Sequence, residues 1–330
     1  MKSTLLISLL LLAACSKKGN SGSSAGGNND SMAPDGSTSA CATQPSDVNS
    51  LAIFPSDNSW NADISNAAVD ANSTAILAAY AGTGLHPDFG SGLWDNAPIG
   101  IPFVVVCGSQ PKLPVVYRAN SDDGNYGDES DPGPYPIPLN APIEGNGTGD
   151  AHVIAVDKDN GILYELYNAS VNGDHWEASS GAIFHLNSDA LRTDGWTSAD
   201  AAGLPIFPGL ARYDDVAKGA ITHALRFTLA KNHVKPAAHI SPARHDVGST
   251  GGANSLPFGA KIRLKASVDI STYPATVQVI LKAMKKYGLI LADIGSDMYV
   301  SGAPDTRWNN DDLSKLGKIK ASDFEVIKIQ

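Results

Sequence analysis

The chain reads as a mainly β protein: one antiparallel β-sandwich or jelly-roll-like domain with a few helices, over residues 41–330. Three observations predict this. Short apolar, β-branched runs recur between turn signals rich in Gly, Pro, Asn and Asp, the spacing expected of an all-β domain. One stretch alone carries a clean helical period. Hydrophobic residues make up 42% of the chain, enough to build a core of that size.

Residues 51–64 read as an extended lead-in. Residues 72–82 begin with the capping residue Asn72, continue with helix formers and stop at Gly82, which predicts a helix. Residues 101–107 and 113–118 are apolar strands bounded by Gly and Pro. The stretch 119–150 is turn-rich and long for a plain connection. Residues 152–156 and 162–167 flank Asp159-Asn160-Gly161, a hairpin signature. Residues 182–186, 220–229 and 260–265 are further strands. In 276–286, Val277, Ile280, Leu281 and Met284 recur at i, i+3, i+4, i+7 and Gly288 follows, which predicts an amphipathic helix. Residues 288–292 and 298–301 read as a closing hairpin, and 323–329 as a last strand.

Residues 1–14 have the plan of a signal peptide: a basic start at Lys2, an apolar run over 5–12, then Ala13-Ala14. Leu12-Ala13-Ala14-Cys15 resembles a lipobox, so a lipid on Cys15 and a place in the cell envelope, at the outer membrane or cell surface, are expected. Residues 16–40 are Gly, Ser, Asn and Asp with almost nothing apolar, a flexible leash by composition. With Cys15 lipidated, Cys41 and Cys107 remain as a disulfide pair for an oxidising compartment.

The balance of 24 basic against 34 acidic residues, net −10, argues against nucleic acid and suits a neutral or cationic ligand. P-loop, dinucleotide, metalloprotease and serine-elbow motifs are all missing from the sequence. Candidate chemistry therefore rests on constellations. His152 and Glu165 lie on the two strands of the hairpin, and His223 is a third member; two imidazoles and a carboxylate serve either as general acid and base or as ligands for a divalent metal. Arg244, His245 and Asp246 form a second group suited to an anionic substrate group. Asp122, Asp123, Asp128 and Asp131, with Asn125 and Glu129 among them, are oxygen ligands at a density that suits calcium. Trp60, Trp94, Trp176, Trp196 and Trp308 sit beside polar or Gly-rich stretches, where aromatic faces stack on sugars or cover a core edge.

Four segments carry a resemblance: His86-Pro-Asp-Phe-Gly90, Glu129-Ser-Asp-Pro-Gly-Pro-Tyr-Pro-Ile-Pro138, Gly195-Trp-Thr-Ser-Ala-Asp-Ala-Ala-Gly-Leu-Pro-Ile206 and Ser301-Gly-Ala-Pro-Asp-Thr-Arg-Trp308. Together they resemble a family of secreted bacterial proteins of unknown function, over roughly residues 50–330. Members are sometimes joined to carbohydrate-binding modules, which implies work on polysaccharide and assigns no catalytic residue. Relatives often carry Cys at the hairpin turn, where this chain has Asn160. The expectation is a tethered carbohydrate-active protein, cleaving glycans as a hydrolase or lyase; a non-catalytic glycan-binding or structural lipoprotein and a metal-binding protein are the alternatives.

Overall fold

Apolar residues alternating on both sides of an Asp-rich turn build the centre of the fold. The computed structural model describes residues 43–119 and 126–329, which belong to one compact unit, Cys41–Gln330. The signal-peptide stretch, Cys15, the leash, Cys41, Asp122, Asp123 and Asn125 lie outside the described residues.

Along the chain the strands are β1 (His86–Asp88), β2 (Leu93–Trp94), β3 (Ala97–Pro98), β4 (Val104–Val106), β5 (Val115–Tyr117), β6 (Val153–Asp157), β7 (Ile162–Tyr167), β8 (Ser170–Asn172) and β9 (His175–Ala178). They continue as β10 (Ser180–His185), β11 (Leu225–Leu229), β12 (Val234–His239), β13 (Leu256–Phe258), β14 (Lys261–Leu264), β15 (Leu289–Ile294), β16 (Tyr299–Ser301) and β17 (Phe324–Val326). The helices are α1 (Ser73–Leu77), α2 (Tyr213–Ala217), α3 (Ala275–Lys286) and α4 (Asn310–Leu313). The described residues are thus mainly β with few helices. No helix among them is long and apolar enough to cross a membrane.

The β6–β7 hairpin forms as its residues predict. Asp157 Oδ1 accepts from the backbone N–H groups of Asp159 at 3.2 Å and Asn160 at 3.0 Å, an Asx turn that reverses the chain. Successive strand side chains point to opposite faces, and here both faces are covered. Ile154, Val156 and Leu163 enter the main core. Val153, Ala155, Tyr164 and Leu166 enter a second core with Tyr135, Ile137 and Trp176. β10 adds to β7 and β4 to β6, making a four-stranded sheet in the order β10-β7-β6-β4. The three-stranded sheet β5-β9-β8 reaches the second core through Trp176 and Ala178.

The larger sheet has the order β1-β16-β11-β15-β14-β17. α3 contacts its β14 and buries Val277, Ile280, Leu281 and Met284, the four residues read from the helical period.

Two expectations are corrected. Residues 288–292 and 298–301 form strands but no hairpin, because β11 lies between them, parallel to β15 and antiparallel to β16. Four of the five β11 residues are buried, as befits a central strand covered on both faces. Pairing is also less uniformly antiparallel than expected: β1/β16, β4/β6, β5/β9, β11/β15 and β12/β13 are parallel. A run that is apolar on both faces does not encode the direction of its neighbour, so the sequence pattern could not decide this.

Candidate active site

A charge interrupts each of two central apolar strands of the larger sheet: Arg226 in β11 and Asp293 in β15. Their strands are adjacent, and the register slips so that Phe227 pairs with Leu291 and Thr228 with Asp293. Ala292 is the extra residue of this bulge, a device that re-aims side chains beside functional sites. The Arg226 guanidinium, 4% exposed, grips Asp200 with two prongs, Nε to Oδ2 at 3.1 Å and Nη2 to Oδ1 at 2.8 Å. Nη2 also reaches Asp293 Oδ2 at 3.4 Å, and Nη1 donates to the Ser301 hydroxyl.

Asp200, 0% exposed, rides on the loop at residues 195–206. A cavity of about 260 Å³ opens over it, lined by Asp150, Tyr126, Tyr167, Asp200 and Asp293 among others. The Asp293 side chain keeps 19% exposure, so it is reachable. Burial, then the neighbouring Asp200 carboxylate, push the Asp293 carboxyl well above the usual carboxylate range, with Arg226 opposing. Asp88 is exposed on β1, opposite Ser301 in the register. Desolvation raises its carboxyl too; the His86 charge lowers it, and Glu144 and Asp150 push it up.

His152 and Glu165 share one face of the hairpin, since Ile154 pairs with Glu165 and residues two apart point the same way. They do not bond to each other, however. Both hold the loop that carries Asp200. His152 Nε2 donates to the Ala199 carbonyl at 2.9 Å, and Nδ1 donates to Glu144 Oε2. Burial works against charge on this imidazole, but Glu144 prevails and raises it to about 9, so both ring nitrogens carry protons at neutral pH. Glu144 is likewise penalised by burial, and His152 holds it below its ordinary value. Glu165 accepts from the Ile206 N–H at 2.9 Å and the Phe207 N–H at 2.8 Å. Burial lifts its carboxyl to about 7 against those two donors.

The second candidate group holds the same loop. His245 Nδ1 donates to the Ala201 carbonyl at 2.7 Å, and the Arg244 N–H donates to the Ala202 carbonyl at 2.9 Å. The Arg244 side chain pairs with Asp194 at 3.0 Å, and Asp246 lies 3.4 Å from His239 Nδ1. Ser198 Oγ donates to the Leu204 carbonyl at 2.6 Å, closing the loop on itself. Gly203 sits at φ +68° with its Cα hydrogen toward the Trp196 carbonyl, and a Cβ there would lie 2.6 Å from that oxygen, so only glycine fits.

His223 stands apart from the other two members of its trio. It lines a different cavity, of about 570 Å³, with Arg212 and Asp215. Burial, then Arg212, lower its pKa. The neutral ring donates from Nδ1 to the Ala224 carbonyl at 2.8 Å and accepts at Nε2 from Arg212 at 3.1 Å. The expected convergence of His152, Glu165 and His223 in one pocket is therefore corrected: each spends its polar atoms on other partners.

The acidic loop is corrected in the same way for its described members. Asp131 Oδ2 accepts from the Ile183 N–H at 2.9 Å and from Arg192, and Glu129 Oε2 accepts from the Thr197 N–H at 3.1 Å. Asp128 is exposed. Among the described residues no group of three or more His, Cys, Asp or Glu side chains is placed to hold a metal ion. Of the tryptophans, Trp60, Trp176 and Trp308 are core residues and Trp196 is half-buried. Trp94 is 79% exposed.

Asp88, Asp150, Asp200, Asp293 and Arg226 were missed as candidates from sequence. A lone charge inside an apolar strand would have flagged Arg226 and Asp293, and the segments 86–90, 195–206 and 301–308 contain Asp88, Asp200 and Ser301. Comparison with protein-family models, with curated proteins and with solved structures finds no match for this chain.

Proposed function

We propose that the protein is a glycan-cleaving hydrolase, held at the cell envelope through a lipid on Cys15. Its site lies beside a sandwich-like stacking of the four- and three-stranded sheets. The observation that supports this most is Asp293: a reachable carboxyl kept protonated by burial and by a neighbouring carboxylate, in a cavity that also presents the exposed Asp150. Glycoside hydrolysis uses one carboxylic acid to protonate the leaving oxygen and a second carboxylate on the other side of the bond. Asp293 takes the first part and Asp150 the second. As the glycosidic C–O bond breaks, Asp293 gives its proton to the leaving oxygen, a water oxygen bonds to the anomeric carbon and yields its proton to Asp150, and proton exchange with solvent restores both carboxyl groups. Arg226 fixes Asp200, whose charge keeps the proton on Asp293. A lyase acting on uronate needs a free cation to neutralise the substrate carboxylate, and Arg226 is already committed to Asp200, so hydrolysis is the better fit.

Release of reducing ends from a polysaccharide panel by the intact protein tests the reading. Asp293→Asn is expected to keep the fold and lower kcat by about 10²- to 10⁴-fold. Wild-type activity is expected to fall on the alkaline side as Asp293 loses its proton. A fully active Asp293→Asn protein, or a wild type that cleaves none of the panel, would overturn it. Binding without turnover in the wild type would instead point to a glycan-binding protein, which the exposed Trp94 also suits.

A further inference from the structure

The charges around the cavity are lopsided. Asp88 and Asp150 face solvent, and Glu144 is 23% exposed. Two nearby cations are committed inward: Arg226 grips Asp200, and His152 donates both ring protons, to Glu144 and to Ala199, while His86 stands exposed two residues before Asp88. Among the described residues, none that lines the cavity is Lys, Arg or His. A substrate approaching it meets carboxylates.

An exposed aromatic side chain stands on a hairpin packed against the turn that carries Glu144. β2 and β3 are joined by Asp95 and Asn96, both at positive φ, +48° and +63°. Two such residues form the tight hairpin turn whose twist matches its strands, so Trp94 is presented on a stiff two-residue loop rather than a flexible one. The hairpin is tied to the Glu144–Asn146 turn, which supplies the partner of His152: Asn146 Nδ2 donates to the Asn96 carbonyl at 2.8 Å. Leu93 and Trp94 are the most exposed large apolar side chains among the described residues. An indole held out in this way suits the apolar face of a sugar ring and leaves its hydroxyls in water.

Resting on the hydrolase reading, we infer that the substrate is a cationic glycan, a polymer of 2-amino-2-deoxy sugars with free amines. One ring stacks on Trp94 while the ammonium groups of the following rings face Asp88, Glu144 and Asp150. Neutral glycans gain no charge attraction from these carboxylates, and polyuronates or sulfated glycans are repelled by them.

Matched probes exist in poly-β-1,4-glucosamine and its N-acetylated form, which differ in the amine charge. The intact protein is expected to cleave the deacetylated polymer faster, with an advantage that shrinks as salt rises from 0.05 to 0.5 M, about the range over which the screening length falls from beyond ~10 Å toward ~4 Å. Asp88→Asn should reduce the ratio of the two kcat/KM values by about 2- to 5-fold, the size of an exposed ion pair. Trp94→Ala should raise KM for both polymers by about 2- to 10-fold, with Trp94→Phe recovering part of the loss. Pull-down of Asp293→Asn with the two polymers separates this inference from the hydrolase reading. Preferential retention on the deacetylated polymer without wild-type turnover keeps the substrate class and removes the hydrolase. Turnover of a neutral or acidic glycan, with no preference for free amines in rate or in retention, keeps the hydrolase and overturns the substrate class.

Discussion

Removing Arg226 tests the centre of the site without reference to any substrate. Arg226 and Asp200 are both out of contact with solvent, 4% and 0% exposed, and joined by two hydrogen bonds. Arg226→Met keeps the apolar stem and deletes the fork, leaving Asp200 buried with the Asp293 carboxyl beside it. Breaking one side of a buried pair costs about 3–5 kcal/mol, because the remaining charge is uncompensated. For a domain of this size each kcal/mol shifts Tm by roughly 2–4 °C, so a fall of roughly 6–20 °C is expected. Adding Asp200→Asn removes the orphaned charge. Replacing both partners of a buried pair costs less than deleting one, so the double variant should recover a large share. Urea titration read by tryptophan fluorescence suits the measurement, since Trp60, Trp176 and Trp308 are core residues. A loss below about 1 kcal/mol for Arg226→Met, or a double variant no more stable than the single, would refute the buried-pair reasoning.

Stability should also respond to pH through His152 and Glu144. The His152 pKa rises from 6.5 in the unfolded chain to about 9 in the fold, so its contribution is fully present below pH 6.5 and is lost as pH climbs through 9. That loss is on the order of 3 kcal/mol at ~1.36 kcal/mol per pKa unit. Glu144 is lowered, so its contribution is present above its ordinary value and is lost on acidification. His152→Gln should flatten the alkaline slope in urea titrations between pH 6.5 and 9; a slope equal to wild type would count against the pairing. Intact-mass analysis of the mature protein should find an acyl-bearing Cys15 as the first residue and a Cys41–Cys107 disulfide. An unmodified Cys15, or two alkylatable thiols in the unreduced denatured protein, would remove the anchor or the disulfide respectively.

Elements whose residues carry their own local reason were legible in the sequence. The β6–β7 hairpin had its Asp159-Asn160-Gly161 turn signal, and α3 had four apolar residues on one stripe. What was not legible was non-local. Nothing in residues 288–301 announces that β11, more than sixty positions earlier, inserts between the two strands. The site suffered from the same limit. Histidines drew attention because they are scarce, 8 in the chain, whereas Asp and Glu number 34 and no local pattern tells a cavity aspartate from a solvated one. His152, Glu165 and His245 were therefore found for the wrong reason. They matter to the site, but through the backbone they hold at Ala199, Ile206, Phe207 and Ala201.

That arrangement explains why so much buried polarity is gathered in one place. A structural ion pair needs one carboxylate for each cation. Around Arg226 and His152 there are instead Glu144, Asp200 and Asp293, an excess that burial makes costly for the fold, with Asp88 and Asp150 exposed nearby. The loop bearing Asp200 is meanwhile held at Thr197, Ala199, Ala201, Ala202, Ile206 and Phe207 by side chains and backbone from four separate parts of the chain. Fixing a carboxylate this firmly in an unfavourable place opposes stability; on the proposed hydrolase reading it serves chemistry, because a pre-set charge can keep a proton on its neighbour without waiting for solvent to reorganise. The excess of carboxylates and the bracing of a single loop are hard to account for as parts of a core. Both follow if the Asp200–Asp293 pair is there to hold a proton ready for transfer.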